Sequence, residues 1–187
     1  MRLRSGQTFK VVSWILRNRV FSQTGLAKEV KVSWGLMNKV VQWLVKKGFV
    51  RKSGRYELVN MTALIQLLAT EIELEKQSFE VNVEPKKILA WIKKNKQVLC
   101  LSSALQFYSN YFRDPSINVY YSKELVEYLK NSPSGLARIN LVKSNLDLFK
   151  SDIIQKKGFL VTDEIRTIID LFADKKAYAT EPLLKRL

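Results

Sequence analysis

Along the first fifty positions, apolar residues fall at helical spacing in three blocks. Val11, Val12, Trp14, Ile15 and Leu16 are dense enough for one buried helix face, which Thr8 can cap and which runs out near Arg19. A second helix is predicted from Ser22, with Leu26, Ala27 and Val30 as its apolar face. Lys31 and Val32 make a short turn, and the Ser33 hydroxyl can cap a third helix. In that helix Met37, Val40, Val41 and Leu44 recur every three or four residues, a stripe that faces a core. Gly48 suits the end of such a helix. Two extended runs follow at 49–52 and 56–59, joined by Ser53-Gly54-Arg55, and read as a β-hairpin.

Beyond this the pattern changes. Asn60 can cap a helix through Met61, Leu64, Ile65, Leu67, Leu68 and Ile72, whose tail at 71–75 turns acidic. Residues 76–84 are polar and read as a loop or short strand. From Pro85 helical patterns at 86–94, 103–112, 124–130 and 163–173 alternate with extended runs at 118–121, 138–142 and 159–161. The predicted fold is therefore mixed α and β: a basic arm at 1–7, a helix–turn–helix and hairpin domain at 8–59, a connecting helix and linker at 60–84, and an α/β (α+β) domain with a smaller sheet at 85–187.

Helix, helix, short turn, helix, hairpin is the order of a winged helix-turn-helix. The stretch Thr24-Gly-Leu-Ala-Lys-Glu-Val-Lys-Val-Ser33, followed by Leu44-Val-Lys-Lys-Gly-Phe-Val-Arg51, resembles the core pattern of bacterial and archaeal winged-helix regulators. In the helix-turn-helix docking mode the N-terminal part of the second helix of the motif enters the major groove. The core stripe then leaves Trp34, Gly35, Asn38, Lys39 and Gln42 facing outward. Asn38 and Gln42 suit paired bonds to adenine, Lys39 can reach guanine or phosphate, and Gly35 removes a side chain where a helix nears the groove. Ser33 can add a phosphate contact to its cap. Arg51, Lys52 and Arg55 sit on the hairpin for phosphate or minor-groove contact, and Arg2 and Arg4 on the arm can do the same. Trp43, beside the stripe, is read as a packing or subunit-contact residue.

Charge supports this direction. Of a net charge of +15, most lies early: residues 1–59 carry 13 Lys and Arg against Glu29 and Glu57, whereas residues 60–187 carry 19 against 15 Asp and Glu. A basic block on a folded domain is the footprint of polyanion binding. The chain has no histidine and one cysteine, Cys100, which removes the commonest general base and leaves no zinc ligand set. Cys100 lies in an apolar run and reads as a buried small hydrophobe. No apolar run approaches the ~18 residues of a membrane span, and the N-terminus has no secretory-type stretch, so the cytoplasm is the expected compartment.

The order Ser102-Ser-Ala-Leu105, Val119-Tyr-Tyr121, Arg138-Ile-Asn-Leu-Val142, Gly158-Phe-Leu-Val161, Ile168-Ile-Asp-Leu171 and a last segment at 181–187 resembles the C-terminal domain of AbiEi-type antitoxins. That resemblance implies a repressor of its own toxin–antitoxin operon that neutralises a separate toxin similar to nucleotidyltransferases. The expected partners are double-stranded DNA, that toxin, and a second copy in a homodimer reading a two-fold site. Two other readings stay open: an interaction module whose first domain docks a protein, and a nucleotide-processing enzyme on residues 85–187. Asp163, Glu164, Asp170 and Asp174 recur at roughly helical spacing, but the Gly-Ser turn that precedes nucleotidyltransferase carboxylates is absent, and Asp170 reads as a surface or helix-facing carboxylate. No catalytic residue, cofactor or metal is expected.

Overall fold

The computed structural model describes residue 3, residues 5–146 and residues 148–187. The chain is mixed α and β and divides into two compact units, one ending at Ile72 and one spanning Glu73–Leu187. The helix predicted after Asn60 therefore belongs to the first unit, and most of the polar stretch read as a linker belongs to the second.

The first unit runs α1 (Gly6–Asn18), β1 (Val20–Phe21), α2 (Gln23–Val30), α3 (Trp34–Lys46), β2 (Val50–Ser53), β3 (Arg55–Leu58) and α4 (Met61–Thr70). Its three strands form an antiparallel sheet in the order β1-β3-β2. Phe9, Val12, Ile15 and Leu16 of α1, Leu26 of α2, Met37, Val40, Val41 and Leu44 of α3, and Leu64 and Ile65 of α4 are fully buried. Three helices start where a short polar side chain accepts a backbone N–H: Ser22 from Gly25, Ser33 from Leu36 and Asn60 from Ala63. The first helix departs from expectation. It begins at Gly6 with Ser5 at the cap position, and Thr8 is buried inside its first turn, its hydroxyl accepting from Ser5 Oγ at 2.8 Å. Strand β1, unforeseen in the sequence, is two residues long and is held by aromatic packing. The Phe21 ring stacks on Tyr56 at 5.5 Å and meets Trp14 edge-on at 6.1 Å.

The second unit runs β4 (Leu74–Val81), α5 (Pro85–Lys94), β5 (Val98–Leu99), α6 (Leu101–Leu105), β6 (Ile117–Tyr120), α7 (Lys123–Lys130), β7 (Ala137–Ser144), β8 (Ile153–Lys156), β9 (Phe159–Thr162), α8 (Glu164–Ala173) and α9 (Glu181–Leu184). Its sheet has six strands, order β4-β7-β6-β5-β9-β8, where the pattern had shown three. The β6–β7 and β5–β9 pairs are parallel and the rest antiparallel. Strands β8 and β9 join through Lys157 and Gly158, both at positive φ, the requirement of a tight two-residue hairpin turn. The helix predicted over 103–112 stops at Leu105. Past it, the aromatic residues serve as anchors: Tyr108 donates from its hydroxyl to the Thr162 carbonyl at 2.6 Å, and Phe107 packs on Phe159 at 5.7 Å. No described helix is long and apolar enough to cross a membrane.

Gly135 sits where the chain before β7 passes the end of β4. A Cβ there would lie 2.5 Å from the Asn82 backbone nitrogen, whose N–H donates to the Pro133 carbonyl at 2.6 Å. Gly135→Ala is expected to cost about 1–3 kcal/mol through overpacking against backbone, read from the urea midpoint. An unchanged midpoint would show that this approach is not held in solution.

A polar system crosses one face of the sheet. Ser78 donates to Asn140 at 2.8 Å, Asn140 to Asn118 at 3.0 Å, and Asn118 to Ser102 at 2.7 Å. Ser102 donates to Asp114, which Lys176 meets at 2.9 Å. Deeper in the unit, Arg166 is fully buried, its Nε donating to Asp170 at 2.8 Å, with Asp152 at 3.5 Å. The Tyr120 hydroxyl donates to the other Asp170 oxygen at 2.5 Å.

Candidate functional site

The face of α3 opposite its core stripe carries most of the polar residues singled out in the sequence. Lys31 adopts a left-handed conformation that ends α2, and Ser33 opens α3 two residues later, so the two helices are joined by a tight turn. Met37, Val40, Val41 and Leu44 are all at 0% exposure, which fixes the rotation of the helix. Ser33, Trp34, Gly35, Asn38, Lys39 and Gln42 are consequently all exposed. Trp34 is 53% exposed, unusual for so large an apolar ring. A Cβ built on Gly35 would meet nothing within 4 Å, so internal packing does not require glycine there. Trp43 is half-buried and packs against Phe49 at 6.2 Å, a packing role within the unit.

Asn38 and Gln42 are not independent side chains. Asn38 Oδ1 accepts from Gln42 Nε2 at 3.5 Å and from Gln23 Nε2 at 2.9 Å. Gln23, the half-buried first residue of α2, thus joins a row of three amides laid across the two helices. Sequence reasoning missed it. The available signal was its place directly after the Ser22 cap, where the turn geometry brings the start of α2 over α3.

The hairpin presents Arg51, Lys52 and Arg55, all exposed, on either side of Gly54. Their surroundings differ. Arg51 lies directly opposite Glu57 in the β2–β3 register and pairs with it at 2.7 Å. The Lys52 ammonium lies 5.8 Å from the centroid of the Tyr56 ring. Arg55, at the turn, and Lys39, on α3, take part in none of the ion pairs among the described residues. Arg2 and Arg4 of the predicted arm lie outside the described residues. The arrangement can offer amide donors and acceptors beside exposed cations.

The carboxylates of the second unit are engaged elsewhere. Asp163 caps α8, accepting from Arg166 N–H at 2.8 Å. Asp174 pairs with Lys76 and Lys176. Asp170 is 1% exposed rather than a surface group: burial pushes its carboxyl above the ordinary range, against the pull of Arg166 and the Tyr120 hydrogen bond. Cys100 is fully buried, as its apolar run suggested, and burial pushes its thiol well up. Among the described residues no group of three or more His, Cys, Asp or Glu side chains is placed to hold a metal ion. Compared with protein-family models, with curated proteins and with solved structures, the chain matches none of them.

Proposed function

We propose that the first unit is a winged helix-turn-helix that binds double-stranded DNA, with α3 in the major groove and the β2–β3 hairpin against the backbone. The observation that carries this reading is the amide row, Asn38 and Gln42 exposed on α3 with Gln23 of α2 beside them, flanked by Lys39, Lys52 and Arg55. Amides in that position can pair with adenine N6 and N7, and the cations with guanine or phosphate. Element order and the β1-β3-β2 sheet are compatible with a winged helix and support this reading. Gly35, unneeded for packing, leaves the start of α3 free to approach a groove closely. On this reading the chain is a transcription regulator without catalytic residues. With the AbiEi-type resemblance, its site lies in its own operon, its second unit meets a nucleotidyltransferase-like toxin, and two copies read a two-fold site.

A second reading draws on Trp34. A large ring exposed at the start of α3 also suits docking onto a protein.

The test is fluorescence anisotropy with labelled duplex from upstream of the protein's own gene, against scrambled duplex, over a salt series. Tighter binding to the upstream duplex at every salt concentration is expected. Absence of duplex binding at low salt would overturn the proposal in favour of protein docking. Asn38→Ala and Gln42→Ala are each expected to relax preference at one base step by about 1–3 kcal/mol. Equal losses on all duplexes would remove these amides as readers.

A further inference from the structure

We propose that the second unit carries a furrow for single-stranded nucleic acid, built on the segment that joins α6 to β6. Two clefts of about 290 and 610 Å³ share Gln106 and Asn110 in their walls. The first adds Lys157 and Arg186, the second Arg113 and Asp114. The segment is held from beneath by Tyr108, hydrogen-bonded to Thr162, and by Phe107 on Phe159. Those inward anchors turn Gln106, Asn110, Tyr111 and Arg113 outward, and all four are exposed.

Two chemistries line these clefts, and a third stands on the same and a neighbouring segment. Arg113, Lys157 and Arg186 take part in none of the ion pairs among the described residues and are open to phosphate. Asp114, the carboxylate in the wall, is neutralised by Lys176 at 2.9 Å. Lys93 donates to the Lys157 carbonyl at 3.2 Å and Lys156 lies 3.7 Å from the Tyr108 ring centroid, which extends the basic rim along α5 and the β8–β9 turn. Gln106 and Asn110 supply amide donors and acceptors along the midline. Two tyrosine rings are also bare: Tyr111 at 65% exposure, and Tyr178 at 62%, held edge-on by Phe112 at 5.6 Å.

Cations alone would serve any polyanion. Exposed rings on neighbouring segments add affinity only for bases already out of a duplex stack, and amides along the midline can then reach the base edges that unpairing frees. Both clefts are open to solvent rather than enclosed, which suits an extended ligand better than a buried small molecule. A single strand is the ligand that uses all three.

The test uses the full chain and fluorescently labelled oligothymidylate and oligouridylate of about twelve nucleotides at low salt. Binding of either is expected, and a preference names the sugar. Tyr111→Ala with Tyr178→Ala is expected to weaken it about tenfold or more. Arg113→Ala, Lys157→Ala and Arg186→Ala together are expected to lower the log–log salt slope by about 2. All five side chains are exposed, and an unchanged near-ultraviolet circular dichroism spectrum checks the fold. Lys39→Ala with Arg55→Ala in the first unit is expected to weaken oligomer binding less than either furrow variant does, whether or not duplex binds there. No binding at low salt, or an unchanged affinity in the tyrosine pair, overturns the proposal. So does a loss in the first-unit variant equal to that in the furrow variants.

Discussion

Arg166→Met is expected to destabilise the second unit by about 3–5 kcal/mol at pH 7, the cost of leaving buried carboxylates without their cation. Arg166 is at 0% exposure and Asp170 at 1%, so water cannot replace the missing partner. Methionine fills comparable length, which keeps cavity formation from dominating the loss. The pH dependence is diagnostic. Burial already pushes the Asp170 carboxyl above its ordinary range, and removal of Arg166 raises it further. A carboxyl whose folded pKa exceeds its unfolded value of about 3.9 destabilises nothing below that value, because it is protonated in both states. Its penalty grows as pH rises from there through the folded pKa. The deficit of the variant is therefore smaller near pH 4 than at pH 7. Adding Asp170→Asn removes the orphaned charge, keeps an acceptor for Tyr120, and is expected to recover part of the loss. Urea unfolding of the three proteins at both pH values decides it; a deficit below about 1 kcal/mol, or one independent of pH, would refute the role given to the pair.

Lys52→Ala with Arg55→Ala is expected to flatten the salt dependence of duplex binding by nearly two units of log–log slope, about 0.9 for each phosphate no longer neutralised. That corresponds to a fall in affinity of roughly tenfold or more at physiological salt, shared by all duplex sequences. Arg51→Ala is expected to do less. Its guanidinium already faces Glu57 across the hairpin at 2.7 Å, so a phosphate must displace that carboxylate first. Both groups are largely exposed, which keeps the pair weak and the displacement easy. Glu57→Ala should therefore tighten duplex binding modestly while Arg51 is present. Titrations of the variants over a salt series separate these cases, and an equal slope change for Arg51→Ala and Arg55→Ala would contradict the pairing.

The first unit was largely legible because its elements obey local rules. Met37, Val40, Val41 and Leu44 repeat at helical spacing and are all buried, so the outward set followed by geometry. Ser22, Ser33 and Asn60 cap as their side chains allow. The misreadings arise where a distant partner decides. Strand β1 exists through Phe21 between Trp14 and Tyr56, an arrangement no two-residue pattern can announce. Thr8 looked like a cap because a threonine precedes an apolar block, but Ser5 lies nearer the helix start and Thr8 faces the interior. Asp170 looked like a surface carboxylate, although Arg166 four residues earlier, amid Ile165, Ile168 and Ile169, was a readable sign of an internal pair. Strand β4 was the hardest to see, since polar residues occupy both of its faces.

That strand has few apolar side chains to spend on docking: only Val81 is buried. Its place beside β7 is set instead by Ser78 against Asn140 and Glu80 against Arg138, partners 62 and 58 residues away. A one-residue slip would part both pairs and turn Val81 outward, so polar contacts add to the little burial available in choosing the register. Contacts so distant close a long loop before they return any stabilisation, so the pairing of β4 with β7 carries that loop-closure cost. During synthesis it leaves the ribosome well ahead of β7 and must wait without a partner. A strand with Glu75, Lys76, Gln77, Ser78 and Glu80 along its length can wait in water, where an apolar one would find another chain.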